Sequence, residues 1–152
     1  MDLPDGGPDT GRILGLDYGK KRIGVAVSDP FGHFAIGLET IVLNPKTDVI
    51  ETIRRHCSAY HVRQVVLGLP RHMDGREGPE AEAVRAFGDR LAEALGIAVC
   101  YLDERLTSVI AQQTLREQGI QGSRNRGLID QAAACKILQD YLDRLQSGRA
   151  GN

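Results

Sequence analysis

Arg12-Ile13-Leu14-Gly15-Leu16-Asp17-Tyr18-Gly19-Lys20-Lys21-Arg22-Ile23-Gly24-Val25-Ala26-Val27-Ser28 holds two short apolar runs around a turn. Each run is rich in Ile, Val and Leu and too short for a helix, while Gly19-Lys20-Lys21 supplies turn chemistry. The reading is a pair of antiparallel strands over 12–17 and 23–28. A second turn, Asp29-Pro30-Phe31-Gly32, leads to a third run over 35–43, so the chain opens as a three-strand antiparallel meander. Asp17 closes the first strand. Gly15 lies two residues before it on the same strand face, leaving room for a neighbour or a ligand.

Beyond the meander the period changes. Val49, Ile50, Ile53, Cys57 and Tyr60 recur at helical spacing and predict a helix over about 47–60. Val65-Val66-Leu67-Gly68-Leu69 reads as a strand covered on both faces and ended by Pro70. Pro79 opens a second helix with Glu80 and Glu82 in its first turn; Val84, Phe87, Leu91 and Leu95 form its inner face, and Gly96 stops it. A fifth strand spans 97–102. Thr107 or Ser108 would then cap a third helix with the stripe Ile110, Ala111, Thr114 and Leu115. The last helix starts near Ile129-Asp130 and buries Ala133, Ala134, Ile137, Leu138, Tyr141 and Leu145. The order is βββαβαβαα. Helical connections between strands imply right-handed crossovers, hence an α/β fold with a mixed sheet: an antiparallel meander plus parallel strands, with helices on its faces.

The 152 residues suit one domain and are too few for two lobes closing around a nucleotide. Hydrophobic residues at 41% and charged residues at 26% exclude a disordered or collagen-like chain. Net charge is −1, from 19 basic and 20 acidic side chains, so any case for a polyanionic partner must rest on local clusters. Residues 1–10 and 147–152 read as flexible tails around a single domain over 11–146. No apolar run approaches the ~20 residues of a membrane span, and Met1-Asp2-Leu3-Pro4-Asp5 lacks the basic-then-apolar pattern of a secretory signal. Cys57, Cys100 and Cys135 are widely spaced with no C-x-x-C, which reads as small core residues and as neither a disulfide framework nor a zinc site. The expectation is a cytoplasmic protein without membrane contact.

Ligands of open α/β sheets lie outside the carboxyl ends of the strands. Three acids come to that edge: Asp17 after the first strand, Glu104 just past the fifth, and Asp130 at the head of the last helix in line with Ala134 and Tyr141. Each alone could be a turn former, a solvated loop acid or a helix-start acid favoured by the macrodipole. Brought within ~5 Å, each pair would repel by roughly 3 kcal/mol at an effective dielectric of 20. Such a cluster needs protons or a cation, and all-oxygen ligands suit Mg²⁺ or Mn²⁺.

Basic side chains fall in three segments: Lys20, Lys21 and Arg22 after Asp17; Arg71, His72 and Arg76 after the fourth strand; Ser123, Arg124 and Arg126 (with one hydroxyl) before Asp130. A charge run by itself is usually a solvated face. Three such segments beside an acidic centre read instead as a polyanion groove around a metal site. With three Phe, four Tyr and no Trp, an extended base-stacking platform is not expected, and backbone and shape recognition is.

These segments resemble a known family. Leu14-Gly15-Leu16-Asp17-Tyr18-Gly19 continuing to Arg22-Ile23-Gly24-Val25-Ala26-Val27-Ser28-Asp29, then Gly68-Leu69-Pro70 with Met73-Asp74-Gly75, then Asp103-Glu104-Arg105-Leu106-Thr107-Ser108, then Ile129-Asp130-Gln131-Ala132-Ala133-Ala134 are similar to the YqgF/RuvX-like family of the RNase H-like superfamily. The motifs run in family order over about 11–145, nearly the whole chain. The resemblance implies an RNase H-like core and an acidic triad of Asp17, Glu104 and Asp130 binding Mg²⁺ or Mn²⁺. It implies a nuclease of pre-16S rRNA 5′-end maturation, in contact with structured RNA and pre-ribosomal particles, or a Holliday junction resolvase acting on branched DNA, for which a homodimer would match the two-fold substrate. Two departures, His72 where the family has Asn and the less basic run Gly122-Ser123-Arg124-Asn125-Arg126-Gly127, touch substrate contact and not metal binding. Two rival readings stay open. Asp17-Tyr18-Gly19 with Arg22-Ile23-Gly24-Val25 also looks like the first phosphate loop of actin- and sugar-kinase-type ATPases, and a non-catalytic nucleic-acid-binding ribosome-assembly factor could keep the same fold.

Overall fold

A computed structural model describes residues 11–104 and 126–150. The strands are β1 (Arg12–Tyr18), β2 (Arg22–Ser28), β3 (Ala35–Val42), β4 (Val62–Leu69) and β5 (Ala98–Asp103). The helices are α1 (Val49–Tyr60), α2 (Pro79–Leu95) and, at the end, α3 (Arg126–Ala150). The helix expected after Thr107 or Ser108 and the tail over 1–10 lie outside the described residues.

The sheet runs in the order β3-β2-β1-β4-β5. The meander is antiparallel, and β1-β4-β5 are parallel. This is the mixed sheet that short turns followed by helical crossovers require. Strand alternation divides the core in two. Leu14, Leu16, Val65, Leu67 and Leu69 point to one face and pack with Ile53 of α1 and with Val84, Phe87 and Leu91 of α2. Ile13, Ala26, Val66 and Leu102 point to the other and meet Ala134, Ile137, Leu138 and Leu142 of α3. The site acids belong to the α3 side.

Local chemistry sets the boundaries. Asp48 caps α1 by accepting from the Glu51 N–H at 3.1 Å, so that helix starts slightly later than the apolar spacing alone predicts. Pro79 sits in the first turn of α2, and Gly96 ends it with φ 67°. The last helix departs more from expectation. It begins by Arg126 and not at 129–130, which moves Asp130 from the helix head into its second turn, and it runs through Ser147 to Ala150 where a loose tail was expected. Of the residues expected inside, Ala133, Ala134, Ile137 and Leu138 are buried with Leu142, whereas Tyr141 and Leu145 are half-buried. The three cysteines are free and half-buried at the margins of the core. Burial pushes the Cys57 thiol up to about 11, against the pull of Arg54.

A β-bulge matters for the site. Ile23 pairs with Ile41 but Val25 pairs with Leu38, so β3 carries an extra residue opposite Gly24. There the Thr40 hydroxyl donates to the Gly127 carbonyl at 2.7 Å, tying the first turn of α3 to the bulged strand. Among the described residues no helix is long and apolar enough to cross a membrane.

Candidate active site

Asp17 lies one residue before the end of β1 and is directly opposite Gly24 of β2. A β-carbon at Gly24 would collide with the Asp130 carbonyl of α3. Glycine at 24 therefore lets the helix lie on the strand, and this contact delivers Asp130 to the neighbourhood of Asp17. Gly15 does the same one step along: a β-carbon there would stand 2.7 Å from the Leu138 Cβ. The room that the sequence leaves beside Asp17 is thus taken by α3 and not by a ligand.

Glu104 comes from the other side. It follows β5, whose partner β4 sets Leu69 beside Asp103 and Gly68 beside Leu102. A β-carbon on Gly68 would lie 2.7 Å from Glu104 Oε1 and 2.8 Å from its Cγ, so this glycine is the floor on which the Glu104 side chain rests. The end of one strand, the residue past another and the second turn of the last helix converge.

The electrostatics record that convergence. Burial pushes the Asp17 carboxyl above the usual carboxylate range; a hydrogen bond with the Glu104 carboxyl works the other way, and the Asp130 charge pushes it up again. A hydrogen bond between two carboxyl groups requires a proton on one of them, because ionised carboxylates only accept.

Asp130 is neutralised differently. Arg22 opens β2, and the two-residue repeat places it on the same face as Gly24, toward α3. Its Nε donates to Asp130 Oδ2 at 2.7 Å, with both side chains about a quarter exposed. Arg22, expected as a phosphate contact in a turn, is instead the internal partner of the third acid. Among the described residues no group of three His, Cys, Asp or Glu side chains stands ready as a metal cage. The donor chemistry nevertheless fits Mg²⁺ or Mn²⁺, which take hard carboxylate oxygens.

The expected phosphate contacts separate into groups. Lys20 and Lys21 are exposed in the β1–β2 turn beside the acids, and neither has an acidic partner among the described residues. Arg71 and Arg76 are engaged within their own loop: Arg71 Nη2 lies 3.3 Å from Glu77 Oε2, and Arg76 Nε lies 2.6 Å from Asp74 Oδ2. His72 closes that turn, its N–H donating to the Arg76 carbonyl and its own carbonyl accepting from Gly75, each at 2.8 Å. Ser123, Arg124 and the Arg126 side chain lie outside the described residues. Reading the sequence alone missed Gly24 and Gly68 as spacers. The signal was there: small residues at α3-facing strand positions next to the acids.

Comparison with known proteins places the chain. A protein from Clostridium botulinum named "Putative pre-16S rRNA nuclease" is 46% identical over 134 residues, 88% of this chain and 98% of the relative. One of the same name from Moorella thermoacetica is 48% identical over 134 residues, 88% of this chain and 96% of the relative. Among solved structures, Thermus thermophilus RuvC in complex with a Holliday junction substrate superposes with a TM-score of 0.54 at 13% identity, covering 90% of this chain and 97% of that one. The fowlpox virus Holliday junction resolvase gives 0.52 at 13% identity, covering 88% and 99%. Both share the RuvC-like RNase H fold. Residues 11–144 match the family described as RuvX, Holliday junction resolvase, and with these relatives and this fold the chain belongs to that family.

Proposed function

We propose that this protein is a divalent-metal-dependent endonuclease that hydrolyses phosphodiester bonds in the 5′-end processing of pre-16S rRNA, in the cytoplasm and in association with pre-ribosomal particles. The observation that carries this reading is the meeting of the half-buried Asp17 carboxyl with its hydrogen-bond partner Glu104 and with the Asp130 charge. Three acids from distant segments brought to one place suit a divalent cation with oxygen ligands.

Asp17, Glu104 and Asp130 would hold Mg²⁺ or Mn²⁺. When bound, such ions supply an activated water and a counter-charge for the leaving oxygen of an in-line displacement. The chain's own contribution is orientation. Gly68 sets the height of Glu104, Gly24 sets that of Asp130, and Arg22 aims the Asp130 carboxylate through its 2.7 Å hydrogen bond. Lys20 and Lys21, beside Asp17 at the strand edge, supply phosphate counter-charge. Arg71, Arg76, His72, Ser123, Arg124 and Arg126 complete the proposed substrate contacts, the first two after release from their loop partners.

The test is cleavage of a precursor-16S 5′ leader and of a four-way DNA junction, side by side, with Mg²⁺ or Mn²⁺ and Asp17→Asn as control. Leader cleavage that the substitution abolishes is expected. Undiminished cleavage by Asp17→Asn would end the assignment of the acids. Preferential cutting of the junction would favour the second reading, a resolvase acting on branched DNA as a homodimer, to which the family description points.

A further inference from the structure

Next to the acids, with Glu104 at their border, lies a cleft of about 510 Å³. Small-molecule sites typically span about 300–1,000 Å³ and combine apolar walls with a few polar groups. Here Tyr18, Pro70, Pro79, Ala83 and Val84 form the apolar wall, and Lys20, Glu80 and Glu104 bring charge to it. Glu104 belongs both to this cleft and to the carboxylate cluster. Whatever occupies the cleft is therefore adjacent to the place where a phosphodiester must lie to be cut.

We propose that the cleft receives the unpaired base of the nucleotide adjoining the scissile phosphate. The inference rests on the nuclease reading above and narrows it to substrates whose cut site is single-stranded or opened. The wall is flat and braced: the Tyr18 ring stacks on the buried Phe87 with centroids 4.4 Å apart and a 24° tilt, so it does not need ordering when a ring lies near it. One aromatic wall suits one base, which agrees with the scarcity of aromatics elsewhere. Lys20 is exposed at the cleft and has no acidic partner among the described residues, which suits a phosphate attached to the bound base. Glu80, exposed in the first turn of α2, is acceptor-only when ionised and favours a base that presents an exocyclic amine. A base held within a duplex stack cannot enter; it must be splayed out or already single-stranded.

The experiment uses a precursor-leader oligoribonucleotide carrying an abasic residue at each position around the cut in turn, with kcat/KM measured for each. One flanking abasic position is expected to lower kcat/KM about tenfold, the scale of a lost base–aromatic stack, and the others to change it little. Ala83→Trp adds bulk to the cleft from an exposed position on α2, and circular dichroism checks that its fold is kept. It should lower kcat/KM on the intact substrate by a similar factor and bring the intact-to-abasic ratio toward one. A parallel arm places 2-aminopurine at each position and reads fluorescence without divalent ions, so that nothing is cut. A change at one position with the natural chain, lost in Ala83→Trp, supports the base site. Equal cutting of all abasic substrates with no fluorescence response overturns it. If the natural chain cuts no oligonucleotide with either ion, the nuclease reading falls and the fluorescence arm alone decides the base site, its silence overturning it.

Discussion

Two groups of charged side chains lie at the same edge of the sheet and are partnered in different ways. In the loop after β4, every acid has its cation. Asp74 accepts from the Arg76 N–H and from its Nε, and Glu77 accepts from Arg85 at 2.8 and 2.7 Å while Arg71 approaches at 3.3 Å. All of this happens at the surface, where such pairs are individually weak. In the cluster between β1, β5 and α3, Arg22 pairs with Asp130, while the Asp17 carboxyl meets that of Glu104. The first arrangement closes a turn. The second places Asp17 where burial, and after it the Asp130 charge, hold its carboxyl above the ordinary value.

The contrast can be broken most severely at Asp17. Asp17→Asn should reduce cleavage on the order of a thousandfold, comparable with removing a transition-state donor from other hydrolytic sites. The same variant should make the metal-free protein more stable near neutral pH by about 1 kcal/mol, the usual size of a stabilising exchange at a strained site. Thermal melts without divalent ions check the second half, and a loss of stability would mean that Asp17 is a structural acid. Gly68→Ala pushes a methyl group onto Glu104; activity should drop about a hundredfold, as expected for roughly 1 Å of misplacement, with a modest fall in melting temperature.

Next in size is Arg22→Gln. It leaves Asp130 partly buried without its cation and should cost about 1–2 kcal/mol in the metal-free protein, the scale of a lost charge-assisted hydrogen bond. Saturating Mg²⁺ should shrink that difference, and an equal loss with and without the ion would show that Arg22 acts only on the fold. In the loop, Glu77→Gln should shift the melting temperature by about a degree or less.

Acidification sharpens the comparison because the two regions respond with opposite sign. Burial raises Asp17 in the folded chain, so the folded state binds its proton first and this group's stability contribution improves as pH falls from neutral toward the ordinary carboxylate range. The Arg76 backbone N–H lowers Asp74, and the Arg85 side chain lowers Glu77. Their contributions are present above the ordinary carboxylate range and disappear as pH drops through the lowered folded values. Asp17→Asn should therefore flatten the gain on mild acidification and leave the loss at lower pH unchanged, as read from melts across pH.

Much of the fold was legible before any coordinates. The meander, both strand-helix crossovers and the limits of α2 follow from period-2 and helical spacing, from Pro79 and from Gly96. The exceptions have local causes. The extension of β4 back to Val62 was hidden because Arg63 and Gln64 interrupt the apolar run. The start of α3 was misplaced because Arg126, Gly127 and Leu128 carry no cap signal. Of the site, the types of the acids and their order along the chain were readable.

What the amino-acid sequence determined by itself was which acids reach the sheet edge, because strand period and chain order fix that locally. Only the tertiary structure decided how they are neutralised: Arg22 on Asp130 across 108 residues, Glu104 seated on Gly68, and Arg71 and Arg76 spent on neighbouring acids. The physical reason is distance. Periodicity carries information about which way a side chain points, whereas the protonation and pairing of a carboxyl depend on contacts a few ångströms long between segments that meet only when the helix settles on the glycines of the sheet.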